Sequence, residues 1–571
     1  MTITLPKTPA DFTAWSQVQP FFDALTAQPL TAATCDAWLA DWTRVANLII
    51  EGFTRANIAT SVNTEDEGAR KRLFFFLEEV LPAAQAADQK LKEKLLASGL
   101  EPKGYDVPLR NLRAEAKLFR AANLPLQTEE GKLGNQYDEI KGRQTVNWEG
   151  RDLPLAQLNP MLQSADRAVR ERAWRAVMAR HLQDRDAFNA LWGRFLDLRV
   201  TMAQNAGFAR YTDYRFEQLK RFDYTPQDCA TFWHAIETEV VPAVTRLNAE
   251  KRRLFGVDRL KPWDGNQHTH VDAQGRPPLT PFKDAAELEA GAGRIFNAVD
   301  PVLGGYYKIM RDENLLDLAS RKAKAPGGYC ATLPIAQRPF IFINAAGVQD
   351  DVDTLLHEGG HAFHAFEAAR LPSHHFQDYP MEFAEVASMA MELLASPYLA
   401  RDKGGFLSQA EAARARGQHI EGMLRFWPYM AVVDAFQHWV YDNPVAAHDP
   451  AACDAAWLKL YRRFHPDVDI HGVEAETANG WQQKLHIFQA PFYYVEYGLA
   501  QMGAVQVWRN AQRDQAGAVR AYRRALALGG SATLPTLFET AGGRFGFDAA
   551  LMRELVAAME QAMHDLRAAG A

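Results

Sequence analysis

DDVDTLLHEGGHAFHAFE, residues 350–367, is the stretch on which the reading of the whole chain turns. It carries His357, Glu358 and His361 in the order H-E-x-x-H. On an α-helix, residues four apart stand one turn apart on the same face. Two imidazoles so placed can bind one zinc ion, with the glutamate beside them set to act on water.

The same stretch reads as helix without the motif. At about 100° per residue, Val352, Leu355, Leu356, Phe363 and Phe366 form one stripe, and His357, His361 and His364 fall on roughly the other side. The aspartates before Thr354 suit a helix N-terminus, where acidic side chains favour the dipole. Gly359 and Gly360 oppose helix, each by up to about 1 kcal/mol relative to Ala. They are expected to mark a close approach by another element or by a ligand.

The chain has 571 residues, 47% hydrophobic and 23% charged, ordinary for a globular protein with ample core. Length alone would give about four domains. A net charge of −7 argues against nucleic acid and acidic membranes as partners. Cys35, Cys229, Cys330 and Cys453 are far apart and read as reduced thiols. The N-terminus lacks the long apolar run of a signal peptide, and no stretch approaches membrane-spanning length. A cytoplasmic protein is the expectation.

Along the chain, three regions are expected: residues 1–105, 106–260 and 261–571. The first is helical, with Phe74, Phe75, Phe76 and Leu77 read as core. Residues 132–155 mix glycines with β-branched residues and read as a small hairpin or an irregular crossing. Residues 165–207 are strongly helical, and their arginines read as a solvated, salt-bridged face. Residues 225–256 form another helix, begun by Thr225 or Pro226. Residues 260–282 are rich in Gly and Pro and read as a linker. Within it, His268 and His270 form an H-x-H pair, weak as a metal site. PFIFIN, residues 339–344, is the clearest strand in the chain. It is either an edge that could pair with an extended peptide or a strand inside a small sheet. Residues 471–483, with Gly472 and Gly480, could be a mobile loop. From 380 onward helix dominates.

Catalytic zinc usually takes three protein ligands and keeps one position open. Glu367, ten residues beyond His357, would continue the same helix and lie too far along to close a site. His364 shares the face of His361 and reads as lining a cavity. A better source is PMEFAEVASMAMELLASP, residues 380–397, a second helix of small apolar residues. A carboxylate among them is costly unless paired or metal-bound. Glu385 and Glu392 stand on one face. Glu385 is assigned as the third ligand, and Glu392 as the group that orients a ligand histidine. Glu382 reads as an exposed acid of the first turn.

HEGGHAFH, FAEVASMAMEL and HIFQAPFYYVEYGLAQMG together resemble the oligoendopeptidase F and thimet oligopeptidase group of zinc peptidases. The stretch from Leu315 to Asn344 is also similar. The resemblance runs from about residue 110 to about 560 and is strongest between 315 and 503. It implies a mainly α fold: a large helical body divided by a deep substrate channel, with a small β-sheet beside the H-E-x-x-H helix. It implies a zinc metalloendopeptidase acting on internal bonds of short unstructured peptides, with one Zn2+ per chain held by His357, His361 and Glu385. Glu358 would be the general base, and His486, Tyr494 and Tyr497 would help hold the oxyanion. Tyr493 adjoins Tyr494, and the pattern leaves open which of the two serves. By composition alone, PFYYVEY would more often be core.

Rival readings are a carboxypeptidase-like exopeptidase of the same fold, a helical peptide-binding protein without catalysis, and a di-iron carboxylate oxidase. The last needs two E-x-x-H pairs, and only Glu358 with His361 fits that spacing. A binding protein has no use for Glu358. Neither oligomeric state nor cleavage preference can be read from the residues.

Overall fold

A computed structural model describes residues 5–265, 271–272 and 274–570. His268 and His270 lie outside the described residues. The architecture is mainly α, with a two-stranded and a three-stranded sheet among the described residues. By internal contacts the chain forms two units. Met1–Ala116, Pro278–Ala412 and Gly503–Phe545 make the first; Lys117–Pro277, Ala413–Met502 and Gly546–Ala571 make the second. Each unit gathers segments distant in sequence, which local composition does not report.

In the first unit, Cys35–Val62 and Leu81–Ser98 are long helices. They share a core containing Phe12, Trp38, Trp42, Phe76 and Leu91, and Phe376 joins it from far along the chain. The aromatic run at 74–77 is only partly core. Phe76 is buried, whereas Phe74 is 47% and Leu77 44% exposed. Successive helical residues point about 100° apart, so four in a row cannot all face inward.

The three-stranded sheet consists of β1 (Leu316–Ala319), β2 (Tyr329–Leu333) and β3 (Arg338–Ala345), in the order β1-β3-β2. β3 pairs in parallel with β1 and antiparallel with β2. PFIFIN is therefore the central strand. Ile341, Phe342 and Ile343 are buried on both faces, and the continuous apolar run reflects this. The edges beside it are β1 and β2.

Helix α1 (Gln349–Ala368) follows β3 and carries the H-E-x-x-H residues. Its start is fixed by Asp351, whose Oδ2 accepts from the backbone N–H of Ala346, Gly347 and Val348 at 2.8, 2.8 and 2.9 Å. Val352, Leu355, Leu356, Phe363 and Phe366 are buried as the periodicity requires. Helix α2 (Met381–Ala395) lies against α1.

The glycine pair explains how closely the two helices meet. A Cβ on Gly360 would stand 2.4 Å from the carbonyl oxygen of Ala387 and 2.5 Å from the Cα of Ser388, both backbone atoms of α2. A Cβ on Gly359 would meet the ring of Phe296 at 2.4 Å. Gly360→Val is expected to push α1 and α2 apart and destabilise the protein by about 1–3 kcal/mol. Urea unfolding checks this; a midpoint unchanged from wild type would contradict the packing.

The second unit holds the helices Leu124–Gly142, Arg167–Gln183 and Arg185–Asn205. The hairpin expected within 132–155 is confined to Thr145–Trp148 and Arg151–Pro154; the residues before it are helix. Residues 471–483 are not a loop. They form a short helix, Glu474–Ala478, and a 3-10 turn, Asn479–Gln483, with Trp481 fully buried. The arginines of 165–207 are of two kinds. Arg172 and Arg175 pair at the surface with Glu149 and Glu171. Arg170 is buried on Asp264 at 3.2 Å, and Arg199 is fully buried.

Candidate active site

In the first unit, α1 and α2 bring His357, His361 and Glu385 together. One donor atom from each lies within 4.8 Å of the others. His357 Nε2 is 3.4 Å and His361 Nε2 3.8 Å from Glu385 Oε2. Tetrahedral zinc with bonds of about 2.0–2.1 Å would hold such atoms roughly 3.4 Å apart. The donor set, two imidazoles and a carboxylate, is one that catalytic zinc takes. The residues present therefore fit that ion.

Partners behind the donors orient them. His357 Nδ1 and Glu392 Oε1 are 2.6 Å apart, which leaves Nε2 facing Glu385. Ser388 Oγ donates to Glu385 Oε2 at 3.2 Å. Such outer contacts fix ring orientation and raise ligand basicity. Burial opposes charge on His357, but its hydrogen bonds to Glu385 and Glu392 hold its pKa well above the usual value. Burial, with the charge on His357, lowers His361 to about 4. One of the two rings thus holds a proton that a bound cation would displace.

Glu358 is 7% exposed, and its Oε2 has no hydrogen-bond partner. Burial pushes its carboxyl up to about 7; His357 opposes the rise, and Glu385 and Glu392 add to it. A base poised near the working pH suits proton transfer.

Glu367 and His364 have surroundings of their own. Glu367 is buried away from the cluster, accepting from Arg523 Nε at 2.8 Å and the Tyr306 hydroxyl at 3.2 Å. His364 is 1% exposed and stacks on Tyr379 with ring centres 3.8 Å apart. Glu382 corrects the sequence reading: it is 3% exposed, not a solvated first-turn acid.

The second unit assembles the aromatic cluster on its own. His486 sits on the Leu485–Gln489 helix, and Tyr494 and Tyr497 on the helix that begins at Tyr494. The His486 ring lies 5.8 Å from that of Tyr493, 5.0 Å from Tyr494 and 5.9 Å from Tyr497. Burial and the neighbouring Lys484 lower His486 to about 4, so the ring is neutral near pH 7. Burial separates the adjacent tyrosines. Tyr494 is 2% exposed, with Lys484 Nζ 4.3 Å above its ring. Tyr493 and Tyr497 are half-buried and meet at 5.1 Å. Tyr494 is thus the buried member of the pair, and Tyr493 the more exposed neighbour of Tyr497.

Two buried arginines hold this segment in place, and sequence reasoning missed both. Arg199 donates to the carbonyls of Ile487, at 3.2 Å, and Phe488, and its charge is met by Glu130 at 2.7 Å. Arg221 donates to the carbonyl of Phe492 and to Glu496, each at 2.6 Å. Phe492 itself has φ of 64°, a conformation rare for a bulky residue. Its N–H donates to Gln437 at 2.7 Å. Chelated from both sides, this turn sets where the tyrosine helix begins.

The sequence pattern of peptidase family M3 matches residues 160–557. An oligoendopeptidase F homolog of Borreliella burgdorferi is 22% identical over 260 residues, 44% of this chain and 41% of that protein. Oligopeptidase PepF of Bacillus subtilis is 20% identical over 351 residues, 57% of this chain and 49% of that one. The matched stretch thus spans less than half the length of either curated relative. Among solved structures, PZ peptidase A with an inhibitor superimposes with a TM-score of 0.87 at 27% identity, over 98% of this chain and 99% of that one.

Proposed function

The chain belongs to peptidase family M3, and from that membership we propose a zinc-dependent oligopeptidase that hydrolyses internal bonds of short, unstructured peptides. The observation that carries the proposal is the convergence of His357, His361 and Glu385 on one point, beside a buried Glu358 with an unpartnered oxygen. We assign this site one zinc ion per chain. When bound there, zinc supplies a Lewis acid that acidifies water and polarises a carbonyl.

The chain's own residues do the rest. Glu358 takes a proton from the attacking water and delivers it to the leaving amine. Glu392 keeps the His357 ring turned so that Nε2 remains a donor. β2, an edge strand of its sheet, offers backbone groups to an extended peptide. This is the pairing role expected above of PFIFIN, moved one strand outward.

His486 and Tyr497 enter on the family pattern, as donors to the oxygen that becomes negative. Tyr493 replaces Tyr494 in that role because Tyr494 is buried. Tyr497→Phe should lower kcat by about 10²–10³-fold, the worth of one oxyanion donor, with KM little changed. Tyr494→Phe should stay near wild type in kcat. An unchanged kcat in Tyr497→Phe would return that residue to the core.

No helix of the described residues is long and apolar enough to cross a membrane. None of the four cysteines is in a disulfide, which supports a reducing, cytoplasmic location. An internally quenched peptide tests the activity. Hydrolysis should stop with a chelator and return with zinc, and mass spectrometry should find internal cuts. Turnover indifferent to the chelator would overturn the zinc reading, and trimming from one end only would favour an exopeptidase.

A further inference from the structure

The second unit contains another cluster of metal-ligating side chains, deep in its interior. Cys229 stands on the Pro226–Ala235 helix; Asp434 and His438 share one face of the Gln409–Asp442 helix, one turn apart. One donor atom from each of these three lies within 4.8 Å of the others. Cys229 and Asp434 are 0% exposed and His438 is 6% exposed.

Two atoms in the cluster point to a missing ligand. Asp434 Oδ2 accepts from Trp233 Nε1 at 2.8 Å, but Oδ1 has no hydrogen-bond partner. His438 Nε2 has none either. The histidine ring packs edge-on against Trp233 at 5.0 Å and Phe492 at 4.9 Å. Buried polar atoms are nearly always paired, and here two unpaired polar atoms belong to a cluster that also holds a thiol.

We propose that Cys229, Asp434 and His438 form a second cation site, of the zinc class, that ties the Pro226–Ala235 helix to the Gln409–Asp442 helix. A thiolate with an imidazole selects zinc-like ions over magnesium or calcium. The Trp233 N–H plays the part of the outer partner that orients a ligating carboxylate. Charge balances as well. Thiolate and carboxylate together neutralise a dication, and binding releases one proton from each group that holds one. Arg221, the nearest cation, is itself paired with Glu496 at 2.6 Å.

The test uses the full chain, stripped of metal and reloaded with Co2+. Wild type should bind about two cobalt ions per chain and show a near-ultraviolet thiolate-to-cobalt charge-transfer band. Cys229→Ser should bind about one, lose the band and keep peptidase activity. Cys330→Ser, which changes the thiol of β2, should keep the band. About one cobalt per chain in wild type with no such band would overturn the proposal, as would a band that survives in Cys229→Ser. Should Cys229→Ser fail to fold, the wild-type ratio and band, with Cys330→Ser as control, decide the matter. The peptidase reading stands or falls separately, by activity with one ion bound at His357, His361 and Glu385.

Discussion

Glu358→Gln is expected to abolish peptide hydrolysis, by at least about 10²–10⁴-fold in kcat, while the protein keeps its zinc. The amide fills the same buried space, and Glu358 is not among the converging donors. What is lost is the ability to take a proton. Stability should move the other way in metal-free protein. The folded-state pKa of Glu358 is raised to about 7, against about 4.3 in an unfolded chain. Between those values the folded state binds more protons than the unfolded one, so stability falls as pH rises through that window. Metal-free Glu358→Gln should therefore be more stable than metal-free wild type at pH 8, and the gap should close toward pH 4. Denaturant melts at both pH values read this. Hydrolysis at the wild-type rate would remove Glu358 from the mechanism.

Glu385→Gln should cost the protein its metal and with it all activity. An outer partner of a metal site is worth about 10–100-fold in affinity, and Glu392→Gln should fall in that range because Glu392 touches His357 only at Nδ1. Loss of Glu385 should exceed it, since the amide supplies a weaker, uncharged donor and leaves two imidazoles alone to hold a dication. Zinc titration against a competing chelator ranks the three proteins. Equal affinities for Glu385→Gln and Glu392→Gln would reverse the roles assigned to them.

These sites were legible to the degree that their signals were local. The H-E-x-x-H spacing, the apolar stripe of α1 and the carboxylates of α2 are each contained within one helix, where periodicity dictates which side chains share a face. Gly359 and Gly360 were readable as contact points for the same reason: helix has no other use for them. PFIFIN was legible as a strand but not as the central one, because edge or centre depends on which distant strands pair. Glu382 looked solvated because the first turn of α2 gives no sign of what covers it.

Arg199 shows a signal that could have been used. It falls in the stripe of Phe188, Trp192, Phe195 and Met202, all buried on one face of the Arg185–Asn205 helix. A charged residue in an apolar stripe must meet fixed partners, and here they are Glu130, Tyr441 and the carbonyls before the tyrosine helix. Arg221 and the Phe492 turn carried no comparable sign. The bonds from Arg221 to Phe492 and Glu496 join segments more than 200 residues apart in the chain.

The central claim is that two rings from one turn of α1 and one carboxylate from α2 hold a single ion. Anomalous scattering at the zinc edge, from crystals of the zinc-loaded protein, tests it most directly. The account predicts a peak within bonding distance of His357 Nε2, His361 Nε2 and a carboxylate oxygen of Glu385. No peak at that point, or one from which the Glu385 side chain turns away, would contradict it.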